Sequence, residues 1–308
     1  MYRMKSVIVL GANGFLGSKL ANTLAARGCS VLAMVDGRFP YEHLKHIDRI
    51  RTIEFSLSRL EDLNDYPDFN SVDTLYNMAW SGVNALSRNE AEEQAQNILY
   101  GLKVMAFAKH HNIKKIIVPG SASEVSCGGS TITGREIPAP SDMYSAAKVA
   151  TRYVCQTYAD QHDIELIWTL ITSVYGPGRN DNNLISYTIQ SLLKGEKPQY
   201  TKLEQKWDYL YIDDLMNAFF LLGEKGIGGK VYPIGSGIYH RMRDYVEKIR
   251  DLINPSAELG IGTLPYKKKN VIDNQMMDIT ELQKDTGFVP KVSFADGIVE
   301  VIKYFKNV

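Results

Sequence analysis

Cysteine is scarce in this 308-residue chain, with three in all. Cys29, Cys127 and Cys155 are odd in number and lack metal-ligand spacing, which excludes a disulfide framework and suits a reducing compartment. An excess of either charge is also missing. Lys and Arg together number 35, as do Asp and Glu, so no field favours a nucleic-acid backbone or an anionic membrane. Long hydrophobic runs are absent from the start of the chain. The apolar run after Met1-Tyr2-Arg3-Met4-Lys5 meets glycine within a few residues, too soon for a signal peptide or a membrane span. A cytoplasmic protein is expected. His43, His46, His110, His111, His162 and His240 show no His-Glu-x-x-His spacing and no cysteine partners. They read as surface or helix-end residues, and no metal is expected. There is no internal repeat and no low-complexity segment. What remains is 44% hydrophobic and 23% charged, the balance of a globular protein with room for one large α/β domain, alone or with a smaller partner.

The organising stretch is Ser141-Asp142-Met143-Tyr144-Ser145-Ala146-Ala147-Lys148. In a helix, Tyr144 and Lys148 project from one face. An ammonium beside a phenol stabilises phenolate and pulls its pKa of about 10 toward working pH. Such a phenol can give a proton to a substrate oxygen or take one from it. The spacing alone says little, because with 18 tyrosines it also occurs at Tyr41…Lys45. Its company gives it weight.

Ser6–Leu10 reads as a buried strand of parallel type. Gly11-Ala12-Asn13-Gly14-Phe15-Leu16-Gly17 follows, and then an amphipathic helix to about Arg27. That setting is what a dinucleotide fingerprint requires. Gly11 makes the turn, Gly14 admits a pyrophosphate and Gly17 lets helix approach strand, with the helix N-terminus supplying donors. The second strand, Ser30–Val35, ends at Asp36-Gly37-Arg38. Asp36 suits adenosine ribose hydroxyls and Arg38 a 2′-phosphate, so NAD and NADP both stay open. Strands at 51–55, 73–79, 114–118 and 165–171 alternate with helices at 90–111, bearing Asn97, and 143–162. The pattern predicts a doubly wound parallel sheet, a Rossmann arrangement. Ligands then gather at the carboxyl ends of its strands, where the glycine turn, Ala79-Trp80-Ser81 and Ser121 lie. Later helices are expected at 182–194, from an N-cap at Asp213 to 224, at 241–253 and at 294–305, with a strand at 230–234. We expect a dinucleotide-binding domain over 1–179 and a smaller, interleaved substrate-binding region over 180–308, with the strand and helix around 207–236 returning to the first domain.

Glycine turn, serine strand end and Tyr144/Lys148 together resemble the extended short-chain dehydrogenase/reductases, in the nucleotide-sugar epimerase/dehydratase branch. Val174-Tyr175-Gly176-Pro177-Gly178, Tyr211-Ile212-Asp213-Asp214 and Gly287-Phe288-Val289-Pro290 look like later landmarks of that branch. Trp80-Ser81-Gly82 and Gly120-Ser121…Glu124 are similar to its reductases of 4-keto-6-deoxy sugars. The resemblance implies an NAD(P)(H)-dependent enzyme, a nucleotide-sugar substrate and a homodimer in which the helix of Tyr144 packs on its copy. It implies Tyr144 as acid/base, with Lys148 holding the nicotinamide ribose and acidifying the phenol. Ser121, 23 residues before Tyr144, would bond the substrate oxygen; Ser123, 21 before, is the alternative, and alignment on the next valine puts Ala122 there. Asn97 would serve a structural or relay role. Glu124 falls where dehydratases carry a catalytic glutamate, although Ser123 replaces the Asp of their Asp-Glu pair. Asn183 matches a substrate-contacting Asn and equally suits a helix cap. Trp207 stands where the branch has an Arg for the diphosphate. It could stack on a base or lie in the core, leaving Lys206, Arg179 or Lys267-Lys268-Lys269 to supply the charge. C4 epimerisation with retained NAD uses the same residues, and a non-catalytic dinucleotide sensor uses the same fold.

Overall fold

The computed structural model describes residues 4–41, 44, 47–84, 87–125, 130–179, 183–266 and 274–307. Cys127, His43, His46 and the Lys267-Lys268-Lys269 run lie outside them. The first half alternates β1 (Ser6–Leu10), α1 (Phe15–Ala26), β2 (Ser30–Val35), β3 (Ile50–Glu54), β4 (Thr74–Asn77), α2 (Ala91–His110), β5 (Lys115–Ser121), α3 (Met143–Gln161) and β6 (Glu165–Ile171). The second half runs β7 (Ser173–Tyr175), α4 (Leu184–Leu193), β8 (Gln199–Tyr200), β9 (Lys206–Tyr211), α5 (Ile212–Lys225), β10 (Val231–Ile234), β11 (Tyr239–Arg241), α6 (Met242–Ile253), β12 (Gly260–Ile261), α7 (Thr280–Thr286) and α8 (Phe294–Asn307). No helix among the described residues is long and apolar enough to cross a membrane.

Seven strands form one parallel sheet in the order β10-β6-β5-β4-β1-β2-β3. The order reverses between β1 and β4, and that switch point opens the crevice at the carboxyl ends. Helices α1 and α5 pack together, as do α2 and α3, so the strands are covered and read as nearly continuous apolar runs. β6, with Leu166, Ile167, Trp168 and Leu170 at 1% exposure or less, is the clearest case. Each such side chain contributes about 1.5–3 kcal/mol by leaving water. Where α2 meets α3, Gly101 has no side chain because a β-carbon would lie 2.6 Å from Thr151 Cγ2.

Beyond β6 the chain interleaves. β7, β9 and β11 make a second, three-stranded sheet, and β8 pairs with β12. Helices α4, α6 and α8 pack on one another, whereas β10 returns to the edge of the central sheet beside β6. Residues 206–211 form a strand that joins the second sheet rather than the central one. The expected N-cap at Asp213 is corrected as well: Tyr211 holds that position and Ile212 is already helical. Asp213 sits in the first turn, where a carboxylate suits the helix dipole, and pairs with Lys19 at 2.9 Å.

Two buried carboxylates stitch the regions together. Asp214 accepts from the backbone N–H groups of Lys291 and Val292 at 3.0 and 2.9 Å. Asp208, fully buried on β9, accepts from Ser236 N, Ser236 Oγ and Gly237 N at 2.9, 2.7 and 3.0 Å. Around them, Tyr175, Tyr209, Tyr245 and Phe294 form one aromatic cluster, with Tyr209 edge to face on both Tyr175 and Tyr245. Burial pushes the Asp208 carboxyl up to about 6, against about 3.9 when unfolded. The native state therefore holds the extra proton between those values, and this group's contribution to stability falls as pH rises from about 4 to about 6. Urea midpoints should show Asp208→Asn gaining on the wild type from pH 4.5 to 7; a constant difference contradicts the assignment. Asp208→Ala, which strands three donors, should cost about 2 kcal/mol or more.

Candidate active site

The glycine turn leads from β1 into α1 and is held by steric necessity. Gly11 has φ +73°, and a β-carbon there would lie 2.9 Å from Ala79 Cα. One on Gly17 would lie 2.1 Å from the Gly11 carbonyl oxygen. Gly14 is the N-cap of α1, with no side-chain cap and no acidic residue in the first turn, so the leading amides, including those of Phe15 and Leu16, suit an anion. Asn13 Nδ2 donates to the Asp36 carbonyl at 3.0 Å, tying the turn to the end of β2. There Arg38 grips the Asp36 carboxylate through Nε at 2.9 Å and Nη2 at 2.6 Å, and the guanidinium holds that carboxyl below its usual range. The two candidate readers of the ribose are thus locked to each other. This cradle fits a dinucleotide.

Across the switch point, β5 ends at Ser121 and α3 begins at Met143. Asp142 caps α3, its Oδ1 accepting from Ser145 N at 2.7 Å. That cap sets the helix so that Tyr144 faces the strand end, where the Ser121 side chain is one of the groups that favour its phenolate. The rings of Trp80 and Tyr144 meet edge to face at 5.9 Å. Lys148 is buried; its Nζ donates to the Pro119 carbonyl at 2.8 Å and lies 3.6 Å over the Trp80 ring. The expected acidification of the phenol by Lys148 is not what this arrangement produces. Burial dominates and pushes Tyr144 up to about 12, and the positive charge that opposes it most is Arg88. Burial likewise draws Lys148 down, with Glu124 as its counter-charge.

The remaining candidates divide. Ser123 Oγ is 2.8 Å from Ser121 Oγ, at the same corner. Ala122 is buried, behind that corner. Asn97 spends its amide on the β4 end, accepting from Ser81 N at 3.0 Å and donating to the Ser81 carbonyl at 2.9 Å. The Ser81 hydroxyl donates to Glu93. Glu124 is corrected from substrate contact to internal support. It is fully buried, accepting from Ser121 N at 2.7 Å and from Trp168 Nε1 at 3.1 Å. Gly120 is bare because a β-carbon would strike Trp168 Nε1 at 2.2 Å and Glu124 Oε1 at 2.5 Å. Trp207 lies in the second sheet, buried, with Nε1 donating to Ser173 Oγ at 2.9 Å. Asn183 caps α4, accepting from Ile185 N and Ser186 N at 2.9 and 3.1 Å. Arg179 lines a small cavity with Asn183 and Tyr175 and donates to the Val174 carbonyl. The sequence reading missed Arg88, whose guanidinium lies 4.1 Å over the Tyr144 ring. No motif marks it; only the fold brings it there.

A family model for the NAD dependent epimerase/dehydratase family matches residues 7–235. The chain belongs to that family. With it come NAD(P) dependence and oxidoreductase chemistry on this fold. The UDP-glucose 4-epimerase of Mycolicibacterium smegmatis is 22% identical over 97% of this chain and 98% of its own. The crystal structure of a UDP-glucose 4-epimerase from Thermotoga maritima, solved with UDP-glucose, superposes with a TM-score of 0.86. It shares 22% identity, covering 98% of this chain and 99% of that one. A dTDP-glucose 4,6-dehydratase from Streptomyces venezuelae, solved with NAD, gives 0.86 at 18% identity, covering 98% and 97%. At these identities the solved structures share the fold.

Because the Gly17 β-carbon position collides with backbone, Gly17→Ala must open the turn. Calorimetric titration with NAD⁺ should show at least about tenfold weaker binding; unchanged affinity would remove the turn from the cofactor site.

Proposed function

We propose that this protein is an oxidoreductase of nucleotide-linked sugars, reducing the C4 ketone of an NDP-4-keto-6-deoxyhexose with Tyr144 as the acid. The observation that carries the reading is the placement of Tyr144 beside Ser121 at the carboxyl end of the sheet, across the switch point from the glycine turn. A bound nicotinamide supplies the hydride chemistry. The C4 carbonyl gains hydride at carbon and the Tyr144 proton at oxygen, becoming a secondary alcohol and leaving a phenolate. Ser121 holds the oxygen as negative charge develops. Lys148, with Nζ at the floor of the site, is the residue to hold the ribose. A phenol pushed up to about 12 is fully protonated at neutral pH, the form that reduction requires.

Epimerisation at C4 is the second reading, favoured by the likeness to the two 4-epimerases. Dehydration is less favoured, because the Glu124 carboxylate is buried against Trp168 and Ser121. A non-catalytic sensor would have no use for the Tyr144/Ser121 pair. The homodimer expected from the resemblance has a candidate face in the exposed Leu99 on α2 and Tyr153 and Val154 on α3.

A panel of nucleotide-linked 4-keto-6-deoxyhexoses with NADH or NADPH tests the reaction. Stoichiometric loss of reduced nicotinamide supports reduction, whereas interconversion without added reductant supports epimerisation. Tyr144→Phe should lower turnover at least about a thousandfold with NAD⁺ affinity unchanged; full activity in that variant ends the proposal. Sedimentation should give a dimer that Tyr153→Asp weakens, and a monomeric wild type would refute the pairing.

A further inference from the structure

Arg88 precedes α2 and reaches over the active-site corner in three directions. Its guanidinium carbon lies 4.1 Å from the centre of the Tyr144 ring. Its Nε donates to the Asp142 carboxylate. Its Nη2 donates to Ser123 Oγ at 3.2 Å. Ser123 Oγ in turn is 2.8 Å from Ser121 Oγ, and the Ser121 side chain is one of the groups that favour the Tyr144 phenolate.

The direction of the first of these bonds follows from donor arithmetic. A guanidinium has five N–H donors and no acceptor, so the bond from Arg88 runs only toward Ser123. With that oxygen accepting, the Ser123 hydroxyl hydrogen is available for Ser121. Ser121 Oγ also accepts from Ser123 N at 3.2 Å, so in the arrangement where Ser123 donates to it the Ser121 hydrogen points outward. The next oxygen in line is that of Tyr144, or of a substrate bound beside it.

We propose that Arg88 is a positioning residue for the Tyr144 acid: it fixes a one-way chain of hydroxyls through Ser123 and Ser121 that delivers hydrogen-bond donation and positive charge to the phenolate formed in turnover. The inference rests on the reading of Tyr144 as the acid/base. Without such help the phenolate would face burial and two acids, Glu124 and Asp142, all of which disfavour it. Arg88 is the cation that opposes them most, while Lys148 Nζ stands farther off, 5.7 Å from the ring, and is engaged by Pro119. Chains of hydroxyls polarise one another, so a fixed direction strengthens the last bond.

The test replaces Tyr144 with site-specifically incorporated 3,5-difluorotyrosine, whose more acidic phenol titrates where the fold survives, and follows its fluorine resonance against pH. No substrate or cofactor is needed, so the result is independent of the turnover of Tyr144→Phe, which tests the reading beneath it. Arg88→Met should raise the apparent pKa by about one unit or more. Ser123→Ala, which keeps the guanidinium over the ring but cuts the chain, should raise it by about half a unit. Asp142 keeps its cap bonds to Ser145 in both variants, and melting temperatures report whether each is folded. Where Arg88→Met fails to fold, Arg88→Lys keeps the charge without the fork, and an upward shift is again expected. A pKa within about 0.2 of the parent in a folded Arg88 variant overturns the proposal. A shift in the Arg88 variant with none in Ser123→Ala overturns the hydroxyl route.

Discussion

A half-buried phenol, held between an indole and a guanidinium, is the constraint on which the rest of this molecule turns. The corner exists because β5 ends as α3 begins, and both ends are tied. Asp142 caps the helix, Glu124 caps the strand end from within, and Gly120 gives way so that Trp168 can reach Glu124. Burial makes the phenol a weak acid and makes any charge nearby count for more. The cost of holding Glu124 and Lys148 out of water is offset by their hydrogen bonds to Trp168, Ser121 and Pro119.

The same logic separates chemistries that a shared fold leaves open. A glutamate at this place in the chain is suggestive of elimination chemistry while only its position in sequence is known. Its burial against Trp168 assigns it to the wall of the site. What then faces the crevice is two serine hydroxyls, one phenol and one arginine, a set suited to moving a single proton to and from an oxygen while hydride moves elsewhere. The second sheet packs with the α4, α6 and α8 cluster, and Asp208 and Asp214 tie this region to the segments after β10 and after β9.

Much of this was legible in the sequence wherever a local rule governs. β1, α1 and the glycine turn follow from apolar periodicity and from positions that exclude a β-carbon. The α3 face bearing Tyr144 and Lys148 follows from helical spacing, and the parallel sheet from alternation. What was illegible depends on contacts between distant segments. β9 carries Lys206, Asp208 and three aromatics, and only its pairing with β7 and β11 places it in the second sheet. Arg88 belongs to no motif and reaches Tyr144 across 56 positions of chain. The phenol's acidity was misjudged because spacing reports that Lys148 is near but not that burial outweighs it, nor that its ammonium turns to Pro119. For Trp207 and Asn183 the sequence left ligand contact and a structural role both open, and the structure puts the first in sheet packing and the second at a helix cap.

The central claim is that Tyr144 and Ser121 act on one substrate oxygen. A crystal structure of the protein with NAD⁺ and a nucleotide-linked hexose measures this directly. The account predicts Tyr144 Oη and Ser121 Oγ both within about 3 Å of the oxygen on sugar carbon 4. A sugar bound with that oxygen beyond hydrogen-bond reach of both groups, while the nicotinamide lies in the cleft above the glycine turn, would contradict it.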